Sequence, residues 1–279
     1  MGPVEMNPHN PLGEKTVYKQ QYDASLLFPI ARSQSRQQLN VPDIMRGEDR
    51  WTAFEVSWLD SQGKPQVRVA EFILDSDSPN IIESKSFKLY LNSFNQTVFE
   101  SERQVKQCLS ADLSAAAGAP VTASLMPLHY AQPVGLQEPI GIYLDDLDVQ
   151  ITDYQPNPQL LTIDTHARSN EVLYSHLLKT NCPVTDQPDW ATVFIEYAGA
   201  AIDHSALLTY IISFREHQDF HENSVERIFC DLQHQCQPER LAVYARYTRR
   251  GGLDINPLRS SYPAGQSLLE ANGLRTIRQ

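Results

Sequence analysis

The segment Thr180-Asn181-Cys182-Pro183-Val184-Thr185-Asp186-Gln187-Pro188-Asp189-Trp190 places a thiol close to two carboxylic acids. A thiolate is a strong nucleophile, and an acid beside it can hand a proton to whatever the sulfur attacks. Pro183 and Pro188 forbid a regular helix, so the thiol is expected on an irregular segment held between elements, where reactive groups are commonly displayed. Either Asp189 or Asp186 can fill the acid's role. A buried turn cysteine next to a solvated Asp fits the same residues, so at this point both readings stand. The other cysteines, Cys108, Cys230 and Cys236, form none of the close pairs of zinc or redox motifs, and all four read as free thiols.

Two further groupings carry chemistry. Glu83-Ser84-Lys85-Ser86-Phe87-Lys88-Leu89-Tyr90 puts hydroxyls, cations and free backbone N–H groups at the mouth of a helix, a combination suited to a phosphate or an anionic cofactor. A solvated first turn accounts for it equally. Phe220-His221-Glu222 opens another helix, with Arg249-Arg250-Gly251-Gly252 further on. A carboxylate fixed at a helix start can accept the N1–H and exocyclic amino group of a guanine-like base, although a Glu there also merely offsets the helix dipole.

The elements that must position these residues follow from periodicity. Residues 1–50 are polar and rich in Pro, Asn and Gln, a mostly irregular lead-in anchored by Tyr18, Tyr22 and Leu26-Leu27. Stretches 51–59 and 66–74 flank Asp60-Ser61-Gln62-Gly63-Lys64-Pro65 and predict a β-hairpin. Helices are expected over 83–99 and 100–117, the second from Val105, Leu109 and Leu113 and ended by Gly118 and Pro120, with strands over 121–128 and 142–151. The second half echoes this order: strands 160–167 and 192–202, helices 204–217 and 222–235, strand 241–247. Strands joined by hairpins with helices on one face imply antiparallel α+β architecture in two modules, 51–155 and 156–279, joined near Pro156 and Pro158.

Composition narrows the function classes. The 279 residues carry a net charge of −11, which argues against general attraction to nucleic acid. The stretch 240–259 runs the other way, with Arg240, Arg246, Arg249, Arg250 and Arg259 against Asp254, and suits a small anionic ligand. No apolar run reaches the roughly 20 residues that span a bilayer, and the first residues lack a signal-peptide pattern, so a cytoplasmic protein is expected.

Jointly, these stretches resemble the NADPH-dependent 7-cyano-7-deazaguanine reductases, the nitrile reductases of queuosine biosynthesis, in their long two-module form. The resemblance runs through Tyr22 to Leu27, Glu83 to Thr97, Ser175 to Trp190, Ser213 to Phe229 and Val243 to Pro257. It implies two tandem tunnelling-fold modules, ββααββ-like and antiparallel, with one site shared between them and a homodimer of such chains. It also implies four-electron reduction of a deazapurine nitrile to the aminomethyl product, using two NADPH and no metal. By the same resemblance Cys182 is the nucleophile that forms a covalent thioimide, Asp189 the proton donor, and His221 a partner in proton handling and positioning. Ile82, Glu83, Ser84, Phe220, His221 and Glu222 are the implied substrate contacts, and Ser84, Lys85, Arg250 and Gly251 the implied cofactor contacts. An acid working near neutral pH needs a raised pKa, which a desolvated loop beside Trp190 is expected to supply. The rival readings are a thiol hydrolase using His176 or His221, a metal-dependent cyclohydrolase of the same fold, and a non-catalytic binding module.

Overall fold

The computed structural model describes residues 19–129, 138–263, 266–267, 269 and 276–278. Tyr18 and the start of the lead-in lie outside them. From residue 19 onward the lead-in is more ordered than its composition suggests. A 3-10 turn, Ala24–Leu26, is capped by Asp23, and the short strand β1 (Pro29–Ala31) runs into helix α1 (Arg32–Arg36). Strands β2 (Arg46–Leu59) and β3 (Pro65–Asp75) form the expected hairpin, closed by Asp60, whose side chain accepts from the backbone N–H groups of Gln62 and Lys64. β2 starts at Arg46, so the last residues assigned to the lead-in are already sheet. Strand β4 (Asn80–Ile82) pairs with β1, and helices α2 (Ser84–Ser93) and α3 (Glu102–Ala117) follow. α3 begins at the Ser101 cap and stops at Gly118 in the left-handed conformation, as the sequence signals require. Strand β5 (Val121–Pro127) completes the half.

The expected strand over 142–151 is not there. Only Ile142–Tyr143 (β6) is extended, and it lies parallel beside β7 of the other half. The acidic run behind it makes a turn instead, in which Asp145 accepts from the backbone N–H of His176. Strand β7 (Ile163–Asn181) is far longer than expected, and β8 (Pro188–Ile202) returns from it. Helix α4 (His204–Ile212) tightens into a 3-10 turn over Ser213–Glu216, and α5 (His221–Cys236), β9 (Arg240–Tyr247) and β10 (Leu253–Ser260) end the fold.

Sequence reasoning missed β10, which is the element that fuses the halves. The main sheet runs β5-β3-β2-β10-β9-β8-β7-β6, antiparallel except at β6, with β10 seated on β2 from Leu253↔Ala53 to Ser260↔Arg46. Gly47 permits this approach, because a Cβ there would collide with the Leu258 carbonyl. Two apolar clusters fill one face. One is built on Leu207, Ile211, Ile228 and Phe229, the other on Trp51, Phe72, Phe87 and Leu109 and joined by Leu253 and Ile255 of β10.

β10 pairs with β9 only through Leu258–Ser260. Pro257, with no N–H to give, lies just before that ladder begins. Ahead of it the strands diverge around a tight turn at Gly251 and Gly252, both at positive φ, and the sheet opens there.

Candidate active site

A cleft occupies this divergence, with about 450 Å³ of empty space partly open to solvent. Its walls bring together Ile82 and Ser84 from the first half with Cys182, Asp189, Phe220, His221, Glu222 and Arg250 from the second. Glu83, Lys85 and Gly251 do not line it. Glu83 caps α2, its two carboxylate oxygens accepting from the N–H groups of Lys85 (2.8 Å) and Ser86 (2.7 Å). Lys85 is exposed.

Cys182 is the first residue of the β7–β8 hairpin loop. Its backbone N–H donates to Gln187 O and its carbonyl accepts from Asp186 N, both at 2.9 Å, so the loop is cinched under the thiol. Burial pushes the thiol pKa up. The Thr185 hydroxyl and the N–H groups of Val184 and Thr185 outweigh that push by stabilising the thiolate, and the net shift is downward. The other three cysteines go the opposite way: burial pushes Cys230 up to about 12, Cys236 up to about 11, and Cys108 upward. All four are free.

The two candidate acids separate cleanly. Asp186 is exposed, sits at φ +57°, accepts from Gln218 at 2.8 Å and does not line the cleft. Asp189 is 3% exposed, with Arg250 Nη1 at 2.6 Å from one oxygen and His221 Nε2 at 3.3 Å from the other. Burial raises the Asp189 pKa, but the hydrogen bond and charge of His221 and the Arg250 guanidinium more than offset it, and the carboxyl lies below its ordinary value. The expectation of a raised pKa beside Trp190 is therefore overturned. Successive strand residues point to opposite faces, so Trp190 is turned outward, with the Arg215 guanidinium over its ring.

His221 lies flat on Tyr247, ring centroids 3.7 Å apart, which fixes the plane of the imidazole at the start of α5. Glu222 beside it is 2% exposed, and burial, with the Asp49 carboxylate adding to it, pushes its carboxyl up to about 8. His176 is elsewhere, bonded to Thr192 at 2.8 Å and packed against Tyr143 and Tyr174.

Arg250 does more than the sequence suggested. Besides Asp189 it donates to Thr185 and Gln187, so one guanidinium ties the acid to the thiol's loop. Lys88, one of the two cations read at the mouth of the helix, was not carried forward as a site residue. It lines the cleft one helical turn beyond Ser84, and burial followed by the nearby Arg250 lowers its pKa. The i,i+4 spacing of Ser84 and Lys88 on α2 was the available signal. Among the described residues no group of three or more His, Cys, Asp and Glu side chains could hold a metal ion, and no helix is long and apolar enough to cross a membrane.

Fold and site together define a mixed α+β protein in which a thiol, a carboxylate and an imidazole meet in one cleft built by both halves of the chain. A family model described as nitrile reductase, 7-cyano-7-deazaguanine-reductase N-term, matches residues 18–125, and one described as QueF-like protein matches residues 188–265; Cys182 falls between them. Proteins named NADPH-dependent 7-cyano-7-deazaguanine reductase from Burkholderia lata and Burkholderia multivorans are each 54% identical over 261 residues, covering 92% of this chain and 95% of theirs. The chain belongs to the NADPH-dependent 7-cyano-7-deazaguanine reductase family. Among solved structures, an apo archaeosine synthase QueF-Like covers 35% of this chain and 95% of its own at 17% identity with a TM-score of 0.29.

Proposed function

We propose that this protein reduces the nitrile of 7-cyano-7-deazaguanine to the aminomethyl group with two NADPH, in queuosine biosynthesis, through a thioimide on Cys182. Beside the family relationship, the observation that supports this reading is a thiol with a lowered pKa in a cleft where the buried Asp189 carboxylate pairs with His221. The Cys182 thiolate adds to the nitrile carbon, and the nitrogen takes a proton through Asp189 and His221. Bound NADPH supplies hydride. After the first reduction Cys182 leaves as thiolate and an imine remains, and after the second the amine is complete. In the empty cleft burial raises the Asp189 carboxyl, but the His221 hydrogen bond and charge and the Arg250 guanidinium hold it below its ordinary value.

Glu222 accepts the purine-like N–H donors, Phe220 covers the reacting carbon, and Ile82 with Ser84 closes the first-half side. Glu83, through its cap, aims the start of α2, where Ser84 and Lys85 meet the cofactor. Arg250 and Gly251 face them, and a Cβ at Gly251, which is held at φ +60°, would press on the Lys88 side chain, so this corner gathers cationic and backbone donors suited to phosphate. Residues 51–155 and 156–279 are read as tandem tunnelling-fold modules, in a cytoplasmic homodimer.

The deciding measurement is NADPH oxidation with and without 7-cyano-7-deazaguanine. Two NADPH consumed per aminomethyl product are expected. Ammonia release without NADPH oxidation would make the protein a hydrolase instead. Asp186→Ala, which alters an exposed turn outside the cleft, is expected to keep turnover within about twofold of the parent in the same assay.

A further inference from the structure

One helical turn along α5 from Glu222 lies a cluster of buried charges that does not line the cleft. Arg259 of β10 is fully buried, with Nη2 at 2.8 Å from both Glu226 of α5 and Asp49 of β2. Arg32 of α1, 2% exposed, reaches Asp49 at 2.5 Å and Glu226 at 3.5 Å. Arg36, one turn along α1, grips both Glu226 oxygens at 2.9 and 2.7 Å. Three guanidiniums thus face two carboxylates, and one positive charge is left over. Glu222 stands one helical turn before Glu226 on the same face of α5, and Arg32, Arg259 and Asp49 all act on its carboxyl.

We propose that Arg32, Arg36 and Arg259, brought from two separate elements, are positioning residues that fix α5 and supply the charge against which the Glu222 carboxylate receives the substrate's paired N–H donors. This rests on the reading of Glu222 as the group that binds the deazaguanine edge. The lead-in gains a purpose from it. The strand that carries Arg32 into place, β1, is paired to β4 immediately before Glu83, and Glu83 N–H donates to Phe28 O at 2.9 Å. One short segment, residues 28–36, therefore aligns the first-half wall of the cleft and the second-half helix together.

The other charged or titratable groups that face Glu222 are Tyr247 of β9 and, across the cleft, Asp189, His221, Arg250, Lys88 and Cys182. In the empty cleft burial and Asp49 oppose ionisation of Glu222, whereas Arg32 and Arg259 favour it. Binding that requires the carboxylate strengthens as pH rises toward about 8. Removing a cation must move that dependence to higher pH, and removing Asp49 must move it to lower pH. Loss of packing alone would do neither.

The test is equilibrium binding of 7-cyano-7-deazaguanine to full-length protein carrying Cys182→Ala, which prevents the covalent adduct, followed from about pH 5.5 to about 8.5. In that background Arg32→Met is expected to displace the pH dependence upward by about one unit, a loss of about tenfold in affinity at pH 7. Arg32→Lys should recover most of it, and Asp49→Asn should displace the curve downward. Arg36→Gln, at the partly exposed rim of the cluster, should fold even if the deeper variants do not, and should give a smaller upward displacement. Curves for Arg36→Gln and every other folded variant that superimpose on the parent's overturn the proposal. Failure of the Cys182→Ala parent to bind at any pH would instead overturn the substrate reading on which the proposal stands.

Discussion

Cys182→Ala is expected to abolish nitrile reduction, with a loss of at least about a thousandfold in turnover. The argument is local. The hairpin loop holds the sulfur under two backbone N–H groups and the Thr185 hydroxyl, which stabilise a thiolate that its burial would otherwise disfavour. Alanine keeps the Cys182 backbone bonds to Gln187 and Asp186, because those are main-chain contacts, so the loop and Asp189 should stay in place. Intact-mass measurement of the parent mixed with substrate and no NADPH should show one adduct, absent from the variant. An adduct that survives in Cys182→Ala would refute the assignment. Cys230 is a poor alternative, since burial holds its thiol up at about 12.

Asp189→Asn should cost about 10² to 10⁴ in turnover while leaving substrate affinity within a few-fold. The amide preserves the shape of a side chain that is almost completely buried and still offers Arg250 an oxygen, but it cannot pass a proton to nitrogen. Stability should change its pH dependence as well. A carboxyl held below its unfolded value contributes stability that is present above that unfolded value and lost as pH falls through the folded one. The parent should therefore lose on acidification a contribution that the variant never had, which thermal melts below about pH 4 would register. Unchanged turnover in Asp189→Asn, or an equal loss in Asp186→Ala, would move the acid elsewhere.

Much of the site was legible because its residues are close in sequence. Cys182 and Asp189 share one hairpin, and Phe220, His221 and Glu222 open one helix, so residue type and local breakers were enough to group them. What escaped depends on distant pairing. β10 carries Pro257, which reads against a central strand, and it is tolerated because β9 pairs only beyond it. β7 reached Asn181 because its polar residues alternate onto an exposed face rather than interrupting the strand. Arg32 and Arg36 were not singled out within the polar lead-in, since nothing near them in sequence announces Asp49 or Glu226 as partners. The raised pKa expected for Asp189 failed for a similar reason. Desolvation was anticipated, whereas Arg250, distant along the chain, was not recognised as its counter-charge.

The seating of β10 on β2 also sets an order of events during folding. Leu253 pairs with Ala53, some 200 residues earlier, and such a loop closes slowly because its ends must meet before any contact compensates the lost entropy. During synthesis the hairpin of β2 and β3 can form early, but its β2 edge stays open until β10 has been made. Until then that edge presents unpaired backbone groups to any neighbouring strand. Nascent chains stalled before β10 should consequently engage holdase chaperones, and they should gain the ability to bind substrate only in the last cooperative step.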